Sequence, residues 1–357
     1  MSNRGGIRYV FTSTYTGQGF ITFIPDLLEG LRKVYILKGA PGSGKSTFIR
    51  MLGEMMSEKG YDVEFWVSAL ESVTPDGVYV PQLDMAIING SLPKAIDPRY
   101  YGSRDEMIYL GEFWDKQAIE GRTVEIMQMV DAIEERQQQV YALLKEAEGI
   151  RKENRMMTMS LVNPERTENL MIDLIREILE NQPGEKHYFA GALTADGMIS
   201  YINELSEGCR KRYIFQGPSG CGKSWMMDAL ALEAKQRGYF LEYYHCGLEP
   251  ESIKMLIVRN LQVALIEAGD IDFSLRPWDF VIDMTVCLNH FDEEEMDVQN
   301  SEGGRRLERL LNQAHQELDL LNQHQRQLKK IYAATMDFEK LDQKIHEVML
   351  KFSDPRQ

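Results

Sequence analysis

Two short stretches decide the fold expected of this chain: K-G-A-P-G-S-G-K-S at residues 38–46 and Q-G-P-S-G-C-G-K-S at 216–224. Both contain the pattern G-x-x-x-x-G-K-S, which follows an apolar segment. Glycines allow consecutive backbone N–H groups to turn inward around an anion, and a helix that follows presents its positive N-terminus to the same point. The pattern therefore predicts two phosphate-binding loops, each between a strand and a helix.

The position of each residue in these loops predicts its role. We expect the amines of Lys45 and Lys223 to reach the β- and γ-phosphates of a nucleoside triphosphate. The hydroxyls of Ser46 and Ser224 are expected to bind Mg²⁺. The residues predicted to surround the nucleotide are Gly39, Ala40, Pro41, Gly42, Ser43, Gly44, Lys45, Ser46 and Thr47, and Gly217, Pro218, Ser219, Gly220, Cys221, Gly222, Lys223, Ser224 and Trp225. The predicted ligands are ATP or another nucleoside triphosphate, at two sites, with Mg²⁺.

The chain repeats itself around these loops. Residues 28–46 and 206–224 are identical at eleven of nineteen positions, at an offset of 178 residues. The similarity extends in both directions, which indicates duplication of a whole unit rather than of one motif. The segment N-Q-P-G-E-K at 181–186 combines Pro, Gly and polar residues, as linkers do. We therefore predict one domain at 1–182 and a second at 183–357.

Both halves show the same order of predicted elements. In the first half these are a strand at 8–13, a helix at 19–31, a strand at 34–38, a helix at 45–58, and strands at 61–68 and 85–88. In the second half they are a strand at 187–192, a helix at 197–209, a strand at 212–216, a helix at 223–237, and strands at 239–246 and 263–266. Alternating strands and helices favour an α/β fold in which each of the two duplicated halves has a parallel sheet and flanking helices.

Each half ends in a segment that is helical by its pattern. Apolar residues recur at three- and four-residue steps at about 118–180 and 300–352, with a break near 333–337. We expect each segment to form an antiparallel helical hairpin. It packs on its own domain, or it serves as a lid, a dimer surface or an arm that binds a protein partner.

Turnover requires an acid near the loop, and the two halves differ there. The acid that holds the Mg²⁺ shell usually ends an apolar strand beside the loop strand. In the second half that position is Glu267, whereas the equivalent residue in the first half is Asn89. Asp84 or Asp97 can substitute in the first half. We therefore expect the second half to be the hydrolytic one.

A second pair of acids follows the preceding strand. Glu71 and Glu249 occupy equivalent positions of the repeat, and an acid there can orient an acceptor hydroxyl or hold a metal. The alternative is a solvated surface acid. Candidates for stabilising charge on the phosphate are Arg99, Arg104 and Arg276, each of which also fits a surface ion pair.

Composition limits the possible partners. The formal net charge is −15, so nucleic acid is an unlikely ligand. No apolar run approaches the ~18 residues of a membrane-spanning helix, and the chain starts without a secretory pattern. With its four cysteines outside any CxxC pair, the chain is expected to be cytoplasmic.

With these residues in view, the chain resembles the P-loop NTPase superfamily, and within it a bacterial family of tandem P-loop ATPases also described as nucleotide-kinase-like. The resemblance covers nearly the whole chain and implies ATP binding in both halves. Its carriers are T-x-x-G at 16–19 and 194–197, K-G-A-P-G-S-G-K-S at 38–46, Y-H-C-G-L-E-P-E-S at 244–252, and Y-L-G-E-F-W-D at 109–115.

Three functions fit these features. The first is Mg²⁺-dependent ATP hydrolysis coupled to movement of the helical arms. The second is a kinase for a small molecule or nucleotide, favoured because only about twenty residues separate the second strand from the acid-bearing strand. The third is a nucleotide-sensing protein with little turnover, favoured at the first site by Asn89.

Overall fold

The computed structural model describes residues 4–178, 184–269, 273–289 and 302–353. Residues 181–183 of the predicted boundary lie outside these ranges, and residues 184–186 begin the strand β9. In the first half the elements are β1 (Ile7–Phe11), β2 (Ser13–Thr16), β3 (Gly19–Thr22), α1 (Ile24–Leu27), β4 (Lys33–Lys38), α2 (Lys45–Glu58), β5 (Val63–Val67), β6 (Pro75–Val80), β7 (Met85–Asn89), β8 (Asp105–Tyr109), α3 (Lys116–Glu120), α4 (Thr123–Met159) and α5 (Pro164–Ile178). In the second half they are β9 (Gly184–Phe189), β10 (Gly191–Thr194), β11 (Gly197–Ser200), α6 (Ile202–Leu205), β12 (Lys211–Gln216), α7 (Lys223–Gln236), β13 (Phe240–His245), β14 (Ile253–Val258), β15 (Val263–Glu267), β16 (Phe280–Asp283), α8 (Glu302–Ala333) and α9 (Phe338–Ser353).

Twelve of the described strands form one sheet, in the order β16-β12-β15-β14-β13-β9-β1-β5-β6-β7-β4-β8. From the centre outward, both halves show the same relative order: β1-β5-β6-β7-β4-β8 and β9-β13-β14-β15-β12-β16. The halves meet where β1 and β9 pair antiparallel through Phe11 and Phe189. The strands β2–β3 and β10–β11 form two separate hairpins. The fold is thus α/β with one large mixed sheet.

The prediction of a parallel sheet was wrong for one strand in each half. β6 runs antiparallel to both β5 and β7, and β14 runs antiparallel to β13 and β15. Only residues 68–74 connect β5 to β6, and a crossover between parallel strands needs about a dozen residues or more. The short connection therefore forces β6 to return in the opposite direction.

The predicted helices at 19–31 and 197–209 were also wrong in large part. Residues Gly19–Thr22 form β3, which pairs with β2, and the helix that follows is limited to Ile24–Leu27. Gly19 has φ of +104°, a backbone conformation that glycine adopts without strain, and Thr16 Oγ1 donates to its carbonyl. The tight turn into a hairpin thus replaces the first turns of the expected helix, and the same turn occurs at Gly197.

The long helices of the two halves pack against each other. Arg136 of α4 bonds to Glu317 of α8 at 2.8 Å, and Arg306 of α8 bonds to Glu146 of α4, so the two helices run antiparallel. Their seam is apolar and buried, and it includes Val140, Leu144, Ala314 and Leu318. The pattern at three- and four-residue steps therefore marks a contact between the halves rather than a hairpin within each half.

The short terminal helices are exchanged as well. Leu341, Ile345 and Val348 of α9 are buried in the first-half core against Phe48 of α2. In the second half, Leu174 of α5 is buried with the core that includes α7. Burial stabilises each such side chain by roughly 1.5–3 kcal/mol. We call α4 with α5 the first arm and α8 with α9 the second arm; the short helix of each arm packs on the half to which the arm does not belong, whereas α4 and α8 also contact β2 and β10 of their own halves.

The described helices bear on the predicted absence of a membrane-spanning segment. Within the described ranges, no helix combines the length and apolarity that a bilayer crossing requires. The four cysteines, Cys209, Cys221, Cys246 and Cys287, are buried free thiols. A cytoplasmic location stays a prediction.

Candidate functional site

The first glycine loop connects β4 to α2 and has the backbone shape of an anion cradle. Gly42 and Gly44 have φ of +86° and +87°, in the left-handed region that side chains with a Cβ rarely adopt. Gly44 caps the N-terminus of α2 and its carbonyl starts the helix by accepting from Phe48 N at 2.9 Å. Alternation of handedness turns successive N–H groups toward one point, to which the helix also directs its positive end.

Lys45 is the first residue of α2 and is held over this loop. Its Nζ donates to the carbonyl oxygens of Gly39 at 2.7 Å and Ala40 at 2.9 Å. Burial lowers the pKa of Lys45 to about 8, although nearby Asp76 opposes the shift. The amine is therefore a desolvated donor held by backbone carbonyls, which a phosphate can replace as acceptor.

The second glycine loop, between β12 and α7, repeats this geometry. Gly220 and Gly222 have φ of +89° and +100°. Lys223 Nζ donates to Gly217 O at 2.6 Å and to Pro218 O at 2.8 Å. The two sequence-predicted loops thus share one backbone shape and one lysine position. Trp225, which follows the second loop, is 49% exposed.

A cavity of about 460 Å³ lies above the first loop. It is lined by Lys45, Ser46 and Thr47 of the loop and α2, by Asp76 of β6 and Asn89 of β7, and by Gln325 and Lys329 of the second arm. Near the second loop, a cavity of about 180 Å³ is lined by Ser224 but by neither Lys223 nor the glycines of that loop. The larger first cavity brings together residues from both halves of the chain.

Glu71 and a second acid line the first cavity; the second acid is Asp76, which the sequence interpretation missed. It lies on β6, is 6% exposed, and accepts a hydrogen bond from Asn89 Nδ2 at 3.0 Å. Burial raises the pKa of the Asp76 carboxyl to about 6, against the hydrogen bonds of Asn89 and Ser68 and the charge of Lys45. The first site therefore has a buried carboxylate beside Asn89, and this carboxylate is neither of the expected substitutes, Asp84 and Asp97.

The second site has the opposite arrangement. Residue 254, equivalent to 76 at the repeat offset, is a lysine, and Lys254 Nζ bonds to Glu267 Oε1 at 2.9 Å. Lys223 Nζ lies 4.0 Å from the same oxygen. Two lysines thus surround one carboxylate, and Glu267 Oε2 has no hydrogen-bond partner among the described residues. This arrangement offers less negative charge to a cation than the first site does.

Glu71 and Glu249 bind the arms instead of facing solvent. Lys329 Nζ donates to Glu71 Oε2 at 2.7 Å, and Arg155 Nη1 donates to Glu249 Oε2 at 2.9 Å. Burial alone would raise the pKa of the Glu71 carboxyl. The hydrogen bond and charge of Lys329, with the hydrogen bonds of Thr74 and Arg326, outweigh burial, so the pKa is below its usual value. Both glutamates therefore join a glycine-loop half to the arm that covers it.

The arms touch the loops closely. An added Cβ on Gly42 would lie 2.2 Å from the carbonyl oxygen of Lys329, and one on Gly220 would lie 2.3 Å from that of Arg155. Glycine at these positions thus permits both the left-handed turn and the contact with the arm.

The remaining candidates lie elsewhere. Asp97, whose side chain is 68% exposed, pairs with Lys38 at 2.6 Å, and Asp84 occupies a left-handed turn after β6. The three candidate arginines bind other groups: Arg99 to Glu29, Arg104 to Asp105 and Arg276 to the carbonyl of Asn203. None of these residues lines the cavity above the first loop.

His245, at the end of β13, pairs with His187, with Nδ1 of His187 lying 2.8 Å from Nε2 of His245. Burial lowers the pKa of His245 to about 4, and the charge of His187 lowers it further. In an unfolded chain histidine titrates near 6.5, so the unfolded state takes up the proton first. The stability that this residue contributes is present above about pH 6.5 and is lost as the pH falls toward 4.

The variant His245→Gln tests this effect. Between pH 7 and 5, the wild type should lose about 2 kcal/mol more of its free energy of unfolding than the variant does. Urea denaturation of both proteins at several pH values measures the difference. Parallel curves for the two proteins would contradict the assignment.

No group of three or more His, Cys, Asp or Glu side chains in the described part of the chain is placed to hold a metal ion by itself. The chain matches no protein-family model, no curated protein and no solved structure. The resemblance to tandem P-loop ATPases therefore stays a prediction that depends on the two loops and their surroundings.

Proposed function

We propose that the chain is a tandem P-loop NTPase that binds nucleoside triphosphate at both glycine loops and hydrolyses it at the first. One observation carries this proposal: the first cavity combines a left-handed glycine loop, a buried lysine amine and a buried carboxylate. Phosphate oxygens would replace the carbonyls of Gly39 and Ala40 as acceptors of the Lys45 amine. The positive end of α2 faces the same point.

The residues of the first site fit Mg²⁺. Ser46, Asp76 and Asn89 all line the cavity and offer hydroxyl, carboxylate and amide oxygens, the ligand types that Mg²⁺ prefers. When bound with the nucleotide, Mg²⁺ neutralises charge that develops on the β- and γ-phosphates. Asp76 must be ionised to contribute, and its pKa of about 6 allows this at neutral pH.

We assign the second site to nucleotide binding with little turnover. The sequence favoured this site for hydrolysis because of Glu267, but Lys254 neutralises that carboxylate at 2.9 Å. The net positive charge of Lys223, Lys254 and Glu267 suits a phosphate more than a cation. A bound nucleotide there would act on the first arm, which contacts the second loop through Arg155.

The two loop lysines provide a matched test. The wild type should bind two nucleotides per chain, and Lys45→Ala and Lys223→Ala should each bind one, as measured by equilibrium dialysis with ATP and Mg²⁺. Phosphate release without an added acceptor should be lost in Lys45→Ala and retained in Lys223→Ala.

The outcomes separate the alternatives. Release that occurs only after a metabolite is added would indicate a kinase, and no nucleotide bound to the wild type would refute the proposal. Retained release in Lys45→Ala with loss in Lys223→Ala would reverse the assignment of the two sites.

A further inference from the structure

We propose that each arm supplies a phosphate-binding cation to the glycine loop of the opposite half: Lys329 of α8 to the first loop and Arg155 of α4 to the second. This inference rests on the proposed nucleotide binding and names residues of those sites that the loop motif does not contain. It also makes each site dependent on both halves of the chain.

Lys329 is placed to reach a phosphate in the first cavity. It lines that cavity together with Lys45 and Ser46, and its carbonyl oxygen lies against Gly42 of the loop. Its side chain is 36% exposed, so the flexible amine can turn without disrupting a packed core. The amine of Lys329 therefore lies beside the first loop and can turn toward a bound phosphate.

Glu71 accepts the amine of Lys329 through Oε2. Arg326 donates to the other carboxylate oxygen at 3.2 Å, and Thr74 donates to Oε2 at 3.0 Å. Glu71 thus retains two partners if Lys329 turns to a phosphate. A carboxylate that binds a cation beside an anion-binding loop keeps that cation close to the site.

Arg155 repeats this arrangement at the second loop. Its carbonyl oxygen lies against Gly220, its guanidinium bonds to Glu249, and it lines the second cavity with Ser224. Gly42 and Gly220 are equivalent at the repeat offset of 178 residues, and each contacts the carbonyl of an arm residue whose side chain is a cation. The arrangement of loop, cation and glutamate is therefore present in both halves.

A purely structural latch between Lys329 and Glu71 makes a different prediction. If the ion pair only holds the arm, removal of either partner should affect nucleotide binding alike. If Lys329 binds phosphate, loss of the amine should weaken binding, whereas loss of the Glu71 charge should release the amine and preserve or strengthen it.

The test uses the full chain with Lys223→Ala, so that only the first site binds. The probes are the non-hydrolysable β,γ-imido analogue of ATP and ADP, each with Mg²⁺, titrated by calorimetry. Lys329→Met should weaken binding of the triphosphate about tenfold or more and of the diphosphate much less, as expected for one charge-assisted hydrogen bond. Glu71→Gln should bind the triphosphate at least as tightly as the parent chain.

Two controls accompany these variants. Arg326→Met also removes a cation from Glu71, but Arg326 does not line the cavity, so triphosphate affinity should change less than threefold. Lys329→Arg keeps the charge and should retain the preference for triphosphate.

Equal weakening by Lys329→Met and Glu71→Gln, or an unchanged ratio of triphosphate to diphosphate affinity in Lys329→Met, would overturn the inference while leaving nucleotide binding intact. A parent chain that binds neither probe would instead refute the proposed function and this inference with it.

Discussion

Asp76→Asn should lower the rate of ATP hydrolysis about 100-fold or more, because it removes the buried carboxylate of the first cavity. Glu267→Gln should change the rate less than about threefold, since Glu267 is already paired with Lys254. Phosphate release at saturating ATP and Mg²⁺ measures both rates. A larger loss in Glu267→Gln than in Asp76→Asn would show that hydrolysis occurs at the second site.

Asp76→Asn should not destabilise the fold, so a loss of activity in this variant cannot be explained by unfolding. The folded-state pKa of Asp76 is about 6, above the unfolded value near 4. Its contribution to stability is therefore fully present below about pH 4 and is lost as the pH rises through about 6. At pH 7 the buried charge costs about 2–3 kcal/mol, so the neutral Asn should give a Tm at or above that of the wild type.

Asp279→Ala should destabilise the protein by about 3–5 kcal/mol, because it leaves a charged guanidinium buried without its partner. Arg212 Nη2 donates to Asp279 Oδ2 at 2.8 Å, and the two side chains are 0% and 1% exposed. Asp105→Ala is the matched control: Asp105 is equally buried, but its partner Arg104 is 19% exposed and can bind water instead. The loss there should be clearly smaller.

A double variant sharpens this second test. Val34 stands where the repeat offset places Arg212, so the chain itself offers an apolar replacement. Arg212→Val with Asp279→Ala should recover most of the stability lost in Asp279→Ala, since apolar groups often replace a buried ion pair at little cost. Urea denaturation of the wild type and the three variants provides the comparison. A double variant no more stable than Asp279→Ala would contradict the explanation.

The glycine loops could be predicted because their conformation is local. Gly42, Gly44 and Lys45 lie within four residues of one another, and their roles depend on backbone freedom and on the start of α2. The apolar strands β4 and β7 were predicted for the same reason, whereas β6 and β8 were not predicted. Nothing distant in the chain was needed to anticipate these elements.

Asp76 could not be found in this way because the residues around it are typical of a turn. Pro75, Asp76 and Gly77 are the residue types that usually mark loops, yet they begin the buried strand β6. An added Cβ on Gly77 would lie 2.6 Å from Cε3 of Trp66, so glycine is required there by packing. Comparison of Asp76 with Lys254 across the repeat was the available signal, although its meaning depends on the sheet order.

The exchange of the arms was beyond the sequence for a different reason. Apolar residues at three- and four-residue steps show that a helix needs a partner, but they do not say which helix it is. Leu318 and Leu341 fit a local hairpin as well as they fit distant partners. The tertiary structure is needed to distinguish a local hairpin from packing against a distant helix.

The packing of the arms across the two halves is consistent with an origin of the duplicated chain from a homodimer. Two copies of a half-length chain, each placing its arm on the other, would form a symmetric homodimer whose two-fold axis passes between β1 and β9. Joining the copies into one polypeptide preserves every contact and ends the need for identical subunits. The fused copies are then free to diverge, and the equivalent positions 76 and 254, and 89 and 267, are places where their residues differ.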